Sequence, residues 1–208
     1  PGVRVRRMTR ASPGLLYAGG VALLIASGAA LLLPTGTDTV RDTDPFMDEM
    51  CVVAPVTPYD PASGLDLLAP RAVPAGARCP VCGMYPARFP HWAAQAIFAD
   101  GNAQFFDSPV NLFVFLGNVP RYNGSYAAAD VAASYVTDYG TALWIDAERA
   151  YYVAGSNIPG PMRIGNLPAF AERKAAAAFA AQHGGEVIAR DGISGALLRP
   201  LTHDRHHH

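Results

Sequence analysis

The residues with the most chemistry in them stand together, as Cys79-Pro80-Val81-Cys82-Gly83-Met84. Two residues separate the thiols, so both sulfurs can approach one ion. Thiolate and thioether are soft donors, and together they select soft ions, chiefly Cu(I). Gly83 permits a sharp turn that could bring Met84 to the side of the thiols. Methionine is a neutral ligand that needs no deprotonation. A site of thiolate and thioether therefore binds Cu(I) and can still hand it on.

Other uses of the same spacing compete with copper. C-P-x-C resembles the motif of thiol–disulfide oxidoreductases. That motif opens a helix, which lowers the pKa of the attacking thiol, whereas Gly83, Pro86 and Pro90 oppose a helix here. Structural zinc wants four ligands, and His91 would be a lone third. Haem attachment needs a histidine directly after the second cysteine, where this chain has Gly83. A plain disulfide fits an oxidising compartment. On spacing alone, copper and a disulfide stand level, redox chemistry comes third and zinc last.

Elsewhere the signals are weaker. Met162, in Gly160-Pro161-Met162, lies in a loop, where packing competes with a ligand role. Met47, Met50 and Cys51 make a small sulfur cluster in an acidic stretch that could pass soft metal along. His183 stands near a helix end and suits the helix dipole. His203 and His206 to His208 are assigned no role. Asp107-Ser108 reads as a helix cap. No nucleophile–histidine–acid arrangement, phosphate-binding glycine loop or paired-carboxylate motif stands out, and the chain reads as a non-enzyme.

The elements that must position these residues form a repeated order. Ala93–Ala99 reads as a strand, Asp100-Gly101 as a hairpin turn and Ala103–Phe106 as the returning strand. Ser108 caps a helix over Pro109–Gly117, and Val131–Thr137 is a further strand. The second half reads likewise: Leu143–Asp146 as a strand, Ala147–Arg149 as its turn and Ala150–Ala154 as the returning strand. A Gly/Pro-rich loop covers Gly155–Asn166. Pro168–His183 follows as a helix ended by Gly184-Gly185, then Glu186–Ala189 as a strand. The expected fold is α+β, with two packed strand-strand-helix-strand units at about 79–138 and 139–190. Residues 195–208 read as a patternless tail.

The front of the chain is different in kind. Arg4, Arg6, Arg7 and Arg10 precede an uncharged stretch that runs to Asp38. Its apolar part supplies the roughly 20 residues that a membrane-spanning helix needs. The arginines are expected to stay cytoplasmic, which sends the rest outward to the periplasm. Small residues at Ser27–Ala30 suit signal cleavage, but Leu31–Leu33 continue the run and favour an uncleaved anchor over 1–37. Residues 38–78 are acidic and rich in proline, and read as a solvated linker. Across all 208 residues, Lys and Arg number 16 and Asp and Glu 17. That balance argues against a nucleic-acid binder, and three cysteines are too few to staple a fold.

CPVCGMYPARFPHWAAQAIFADGNAQFFDSPVNLFVFL (79–116) resembles the opening of the NosL family, accessory proteins of nitrous oxide reductase. AYYVAGSNIPGPM (150–162) and PAFAERKAAAAFAAQHGGEVI (168–188) resemble that family's second half. The likeness covers roughly 79–194. It implies an exported, membrane-attached Cu(I) chaperone in the bacterial inner membrane. The implied partners are nitrous oxide reductase or its maturation machinery, a membrane copper/sulfur transport complex. It also implies a pair of strand-strand-helix-strand units related to organomercurial lyase. By the same resemblance Cys79, Cys82 and Met84 are the expected ligands, with Met162 as a further one. Members of the family are commonly lipoproteins, whereas this chain has a spanning segment and no cysteine directly after it. The alternative from another class is a membrane-tethered thiol–disulfide oxidoreductase using Cys79 and Cys82.

Overall fold

The computed structural model describes residues 54–203. The basic end, the apolar run, Met47, Met50, Cys51 and the histidines after His203 lie outside the described residues. Among the described residues no helix is long and apolar enough to cross a membrane.

The first half forms where its residue pattern puts it. Strands β1 (Ala94–Phe98) and β2 (Ala103–Phe106) pair antiparallel, with Ala94 opposite Phe106. Gly101 turns the hairpin at φ +84°, and Asp100 Oδ1 accepts from the Asn102 N–H at 2.9 Å. Ser108 caps α1 (Pro109–Gly117) by accepting from the Asn111 N–H at 3.3 Å. Such a cap is worth about 1 kcal/mol. After the short α2 (Val119–Tyr122), β3 (Val131–Thr137) pairs antiparallel with the other side of β1.

The second half departs from expectation. β4 (Trp144–Asp146) pairs with β3, giving the order β2-β1-β3-β4. The turn at Ala147–Arg149 does not fold the chain back onto β4. It carries the chain into another sheet, where β5 (Tyr151–Ala154) lies between β6 (Ala169–Phe170) and β7 (Glu186–Ile188). Ala147 and Ala150 are both buried at this crossing, where a larger side chain would have no room. Ala169–Phe170 pairs with Tyr151-Tyr152, so α3 begins at Arg173 and runs to His183 instead of starting at Pro168. Each sheet therefore keeps the strand-strand-helix-strand order, with β4 added to the first.

Two further stretches differ from the sequence reading. Ala54–Arg78, expected to be solvated, is irregular but packed. Thr57 bridges to Ala103, and Leu68, Val73 and Ala77 cover Ile97, Ala103 and Phe105. Gln95, fully buried on β1, behaves as a peptide group. It accepts from the Arg71 N–H at 3.2 Å and donates to the Arg71 carbonyl at 3.0 Å. The tail holds a helix, α4 (Gly195–His203), in which the Ser194 hydroxyl accepts from the Leu197 N–H at 3.3 Å. Leu197, Leu198 and Leu201 pack on the main core. Their spacing of one and four positions makes a helical face, too short a signal to stand out beside Pro200.

The main core joins both sheets. Phe98, Phe106, Leu112, Phe113 and Phe115 from the first half meet Tyr152, Leu167 and Ala169 from the second. Phe113 and Tyr152 meet edge-on, with ring centroids 5.3 Å apart. The segment after β3 is tied to β6 by backbone, with Tyr139 N–H donating to the Ala169 carbonyl at 2.7 Å. A satellite core of Val153, Phe170, Ala176 and Phe179 holds α3 on the second sheet.

Candidate metal centre

The residues 79–84 fold into a closed loop. Gly83 N–H donates to the Cys79 carbonyl at 2.8 Å, and Cys79 N–H donates to the Met84 carbonyl at 2.9 Å. Gly83 sits at φ +76°, a left-handed conformation that costs other residues about 1–2 kcal/mol. The loop directs Cys79 inward, where it is fully buried, and leaves Cys82 half-buried. Both cysteines are free thiols.

Opposite the loop is the junction of β2 and α1, and Asp107 stands on it, fully buried. Ligand atoms of Cys79, Cys82 and Asp107 all lie within 4.8 Å of one another. The Cys82 thiol donates to Asp107 Oδ1 at 3.1 Å. Asn111 lies one helical turn further along α1, and its Nδ2 donates to the same oxygen at 2.8 Å. The other carboxylate oxygen, Oδ2, is buried without a hydrogen-bond partner. Leaving such an acceptor bare costs about 1–3 kcal/mol, and a cation placed among the three donors would satisfy it. Burial pushes the Cys79 thiol well above its ordinary pKa, and the hydrogen bond with Cys82 and the nearby Asp107 charge push the same way. Cys79 thus holds its proton at neutral pH until a cation displaces it.

Met162 brings the second half to the edge of this group. Met162 Sδ lies 3.8 Å from Asn111 Nδ2. Its loop is pinned by Asn166, whose Oδ1 accepts from the Ser156 hydroxyl at 2.9 Å and whose Nδ2 donates to the Ile158 carbonyl. A Cβ on Gly165 would collide with Leu201, so α4 closes on the same loop.

Of the sequence-based candidates, Cys79 and Cys82 therefore come together, and Met162 reaches them through Asn111. Met84 is tied to them through its backbone carbonyl, and its side chain is half-buried. His91 is not in the group, since its Nδ1 lies 2.8 Å from the Tyr139 carbonyl. Asp107 and Asn111 were missed as site residues. Both stand in the apolar stretch Phe105–Phe115, which buries them at 0% and 4% exposure. Asp107 and Asn111, polar residues beside Ser108 in so apolar a stretch, were the available signal, and the cap accounts for the serine alone.

A family model described as NosL matches residues 70–198. A copper-binding lipoprotein NosL of Stutzerimonas stutzeri is 33% identical over 147 residues, covering 67% of this chain and 73% of that protein. The crystal structure of the copper chaperone NosL from Shewanella denitrificans superposes with a TM-score of 0.53 at 27% identity, over 62% of this chain and 98% of that one. The match to the family model begins within the packed strap before Cys79 and ends within α4, so both stretches first read as linker and tail fall partly inside it. The chain belongs to the NosL family.

Proposed function

We propose that this protein is a membrane-attached, periplasmic Cu(I) chaperone that supplies copper for assembly of the nitrous oxide reductase copper centre. The observation that carries the reading is the donor group of Cys79, Cys82 and Asp107 within 4.8 Å, with the Met162 thioether at its edge. Two thiols and thioethers favour a soft monovalent ion. The Asp107 carboxylate stands beside them and holds Cys82 by accepting its thiol hydrogen bond at 3.1 Å. Met84, next to the closed loop, is a further thioether within the same motif. The names of the relatives, one copper-binding and one a copper chaperone, support the same cargo, and the word lipoprotein in one of them supports attachment to a membrane.

Release follows from the chemistry of the donors. A thioether is neutral, so an incoming ligand displaces it without moving a charge. Met162 also sits on a loop, while the cysteines sit on a closed backbone turn. Exchange therefore starts at the Met162 side and ends at the thiolates. The oxidoreductase alternative is poorly served by the same geometry. Cys79 is fully buried with a raised pKa, which suppresses the thiolate that thiol exchange requires.

Anaerobic titration of the reduced full chain with Cu(I) against a competing chelator tests the cargo. One tightly bound equivalent is expected, and no binding in competition with the chelator would refute the reading. The client is tested by incubating the loaded protein with copper-depleted nitrous oxide reductase. Recovery of its copper and activity is expected, and recovery no faster than with free Cu(I) would remove that part.

A further inference from the structure

Asn111 has a place at this site that ligand chemistry does not explain. It is the third residue of α1, 4% exposed, with its backbone N–H held by the Ser108 hydroxyl. Its Nδ2 lies 2.8 Å from Asp107 Oδ1, 3.3 Å from Cys82 Sγ and 3.8 Å from Met162 Sδ. An amide nitrogen has two hydrogens, and here three acceptors surround it. The orientation is fixed by charge, because the amide oxygen in that position would sit against a carboxylate oxygen.

The hydrogen bonds at the site are shared unevenly. Asp107 Oδ1 takes bonds from both Asn111 and the Cys82 thiol, while Oδ2 has none. When a cation binds, the Cys82 proton leaves to solvent and the sulfur becomes a negatively charged acceptor. A hydrogen bond to a charged acceptor is roughly twice as strong as one to a neutral group. The amide's bond to Cys82, already present at 3.3 Å, is therefore strengthened, while its bond to the Asp107 carboxylate remains.

We propose that Asn111 is the positioning residue of the site, and that its side-chain amide, in reach of Asp107, Cys82 and Met162 at once, holds Cys82 and Met162 in register for the incoming ion. Asp107 already offers its unpartnered Oδ2 to the ion, and the amide orients Cys82 towards the same place. Met162 lies beside the same amide, which keeps the second unit's thioether registered with the first unit's donors. The inference rests on the proposed Cu(I) function and adds a residue that is not itself a ligand.

The test uses the full chain labelled with 15N. On loading with Cu(I), the Asn111 side-chain amide protons are expected to move as the amide engages a thiolate, and Cys82→Ser should abolish that shift. Asn111→Leu should weaken Cu(I) binding about 10- to 100-fold, the usual cost of losing a group that orients a ligand, while the metal-free protein melts within a few degrees of wild type. Asn111→Gln keeps the amide and should recover part of the affinity. An unmoved Asn111 amide in the loaded wild type overturns the inference, and so does an Asn111→Leu affinity within twofold of wild type. A wild type that takes up no Cu(I) overturns the proposed function and this inference together. Wild-type binding that is insensitive to Asn111 overturns the inference alone.

Discussion

The two halves of this protein share an order of elements and contribute very differently to the site. The first supplies Cys79, Cys82, Asp107 and Asn111, and the second supplies Met162. The first half's donors carry or can take a negative charge and stand on a closed turn and on a helix start. The second half's donor is neutral and stands on a loop held by Asn166 and α4. On the proposed reading, one half is built for affinity and the other for exchange. Two units with the same order of elements would then serve a handover site by being chemically unequal.

The largest effect should come from the first half. Cys82→Ser is expected to weaken Cu(I) binding by more than the roughly 10–100-fold typical of losing a supporting group, as read by chelator competition. A smaller loss would move the centre of the site away from this loop. Asp107→Asn should cost about 10–100-fold in affinity. It should also raise the melting temperature of the metal-free protein, because it replaces a fully buried carboxylate with a neutral amide. Opposite signs for affinity and stability would show that Asp107 is kept for the metal. Loss of both would make it a structural residue.

Acidity sharpens the same contrast. Cys79 has a raised pKa and stays protonated at neutral pH, so binding must release its proton. Apparent Cu(I) affinity should therefore rise with pH, about tenfold per unit for each proton displaced. Without metal the sign reverses: the raised pKa stabilises the fold while the thiol is protonated, and that contribution is lost as pH climbs through the folded-state value. Met162→Leu should be the mildest change, about tenfold or less in affinity with the pH slope unchanged. A slope altered by Met162→Leu would break the division between the halves.

The sequence made the first half legible because its signals were local. Asp100-Gly101, Ser108 and Pro109 each determine their own turn or cap, and β2, α1 and β3 fall on the expected residues. The second half depends on a choice between sheets that no local residue announces. Leu143–Asp146 and Ala150–Ala154 look like a hairpin, but β4 finds its partner in β3 and β5 in β6 and β7. The strap at 54–78 misled for a related reason. Its prolines forbid regular structure, but burial there comes from side chains such as Leu68 and Val73 meeting a strand far away in sequence. Sulfur chemistry and family likeness single out Cys79, Cys82 and Met162 as candidates, and the fold sets Cys79 and Cys82 beside Asp107. Asp107 and Asn111 needed the fold, because their role comes from the loop that faces them.

The most direct test of a site shared by these halves is X-ray absorption at the copper edge on the Cu(I)-loaded full chain, wild type beside Cys82→Ser and Met162→Leu. The account predicts a sulfur-dominated shell around one copper. That shell should collapse in Cys82→Ser and lose a single longer-range sulfur in Met162→Leu. A shell without sulfur, or one identical in all three proteins, would contradict it.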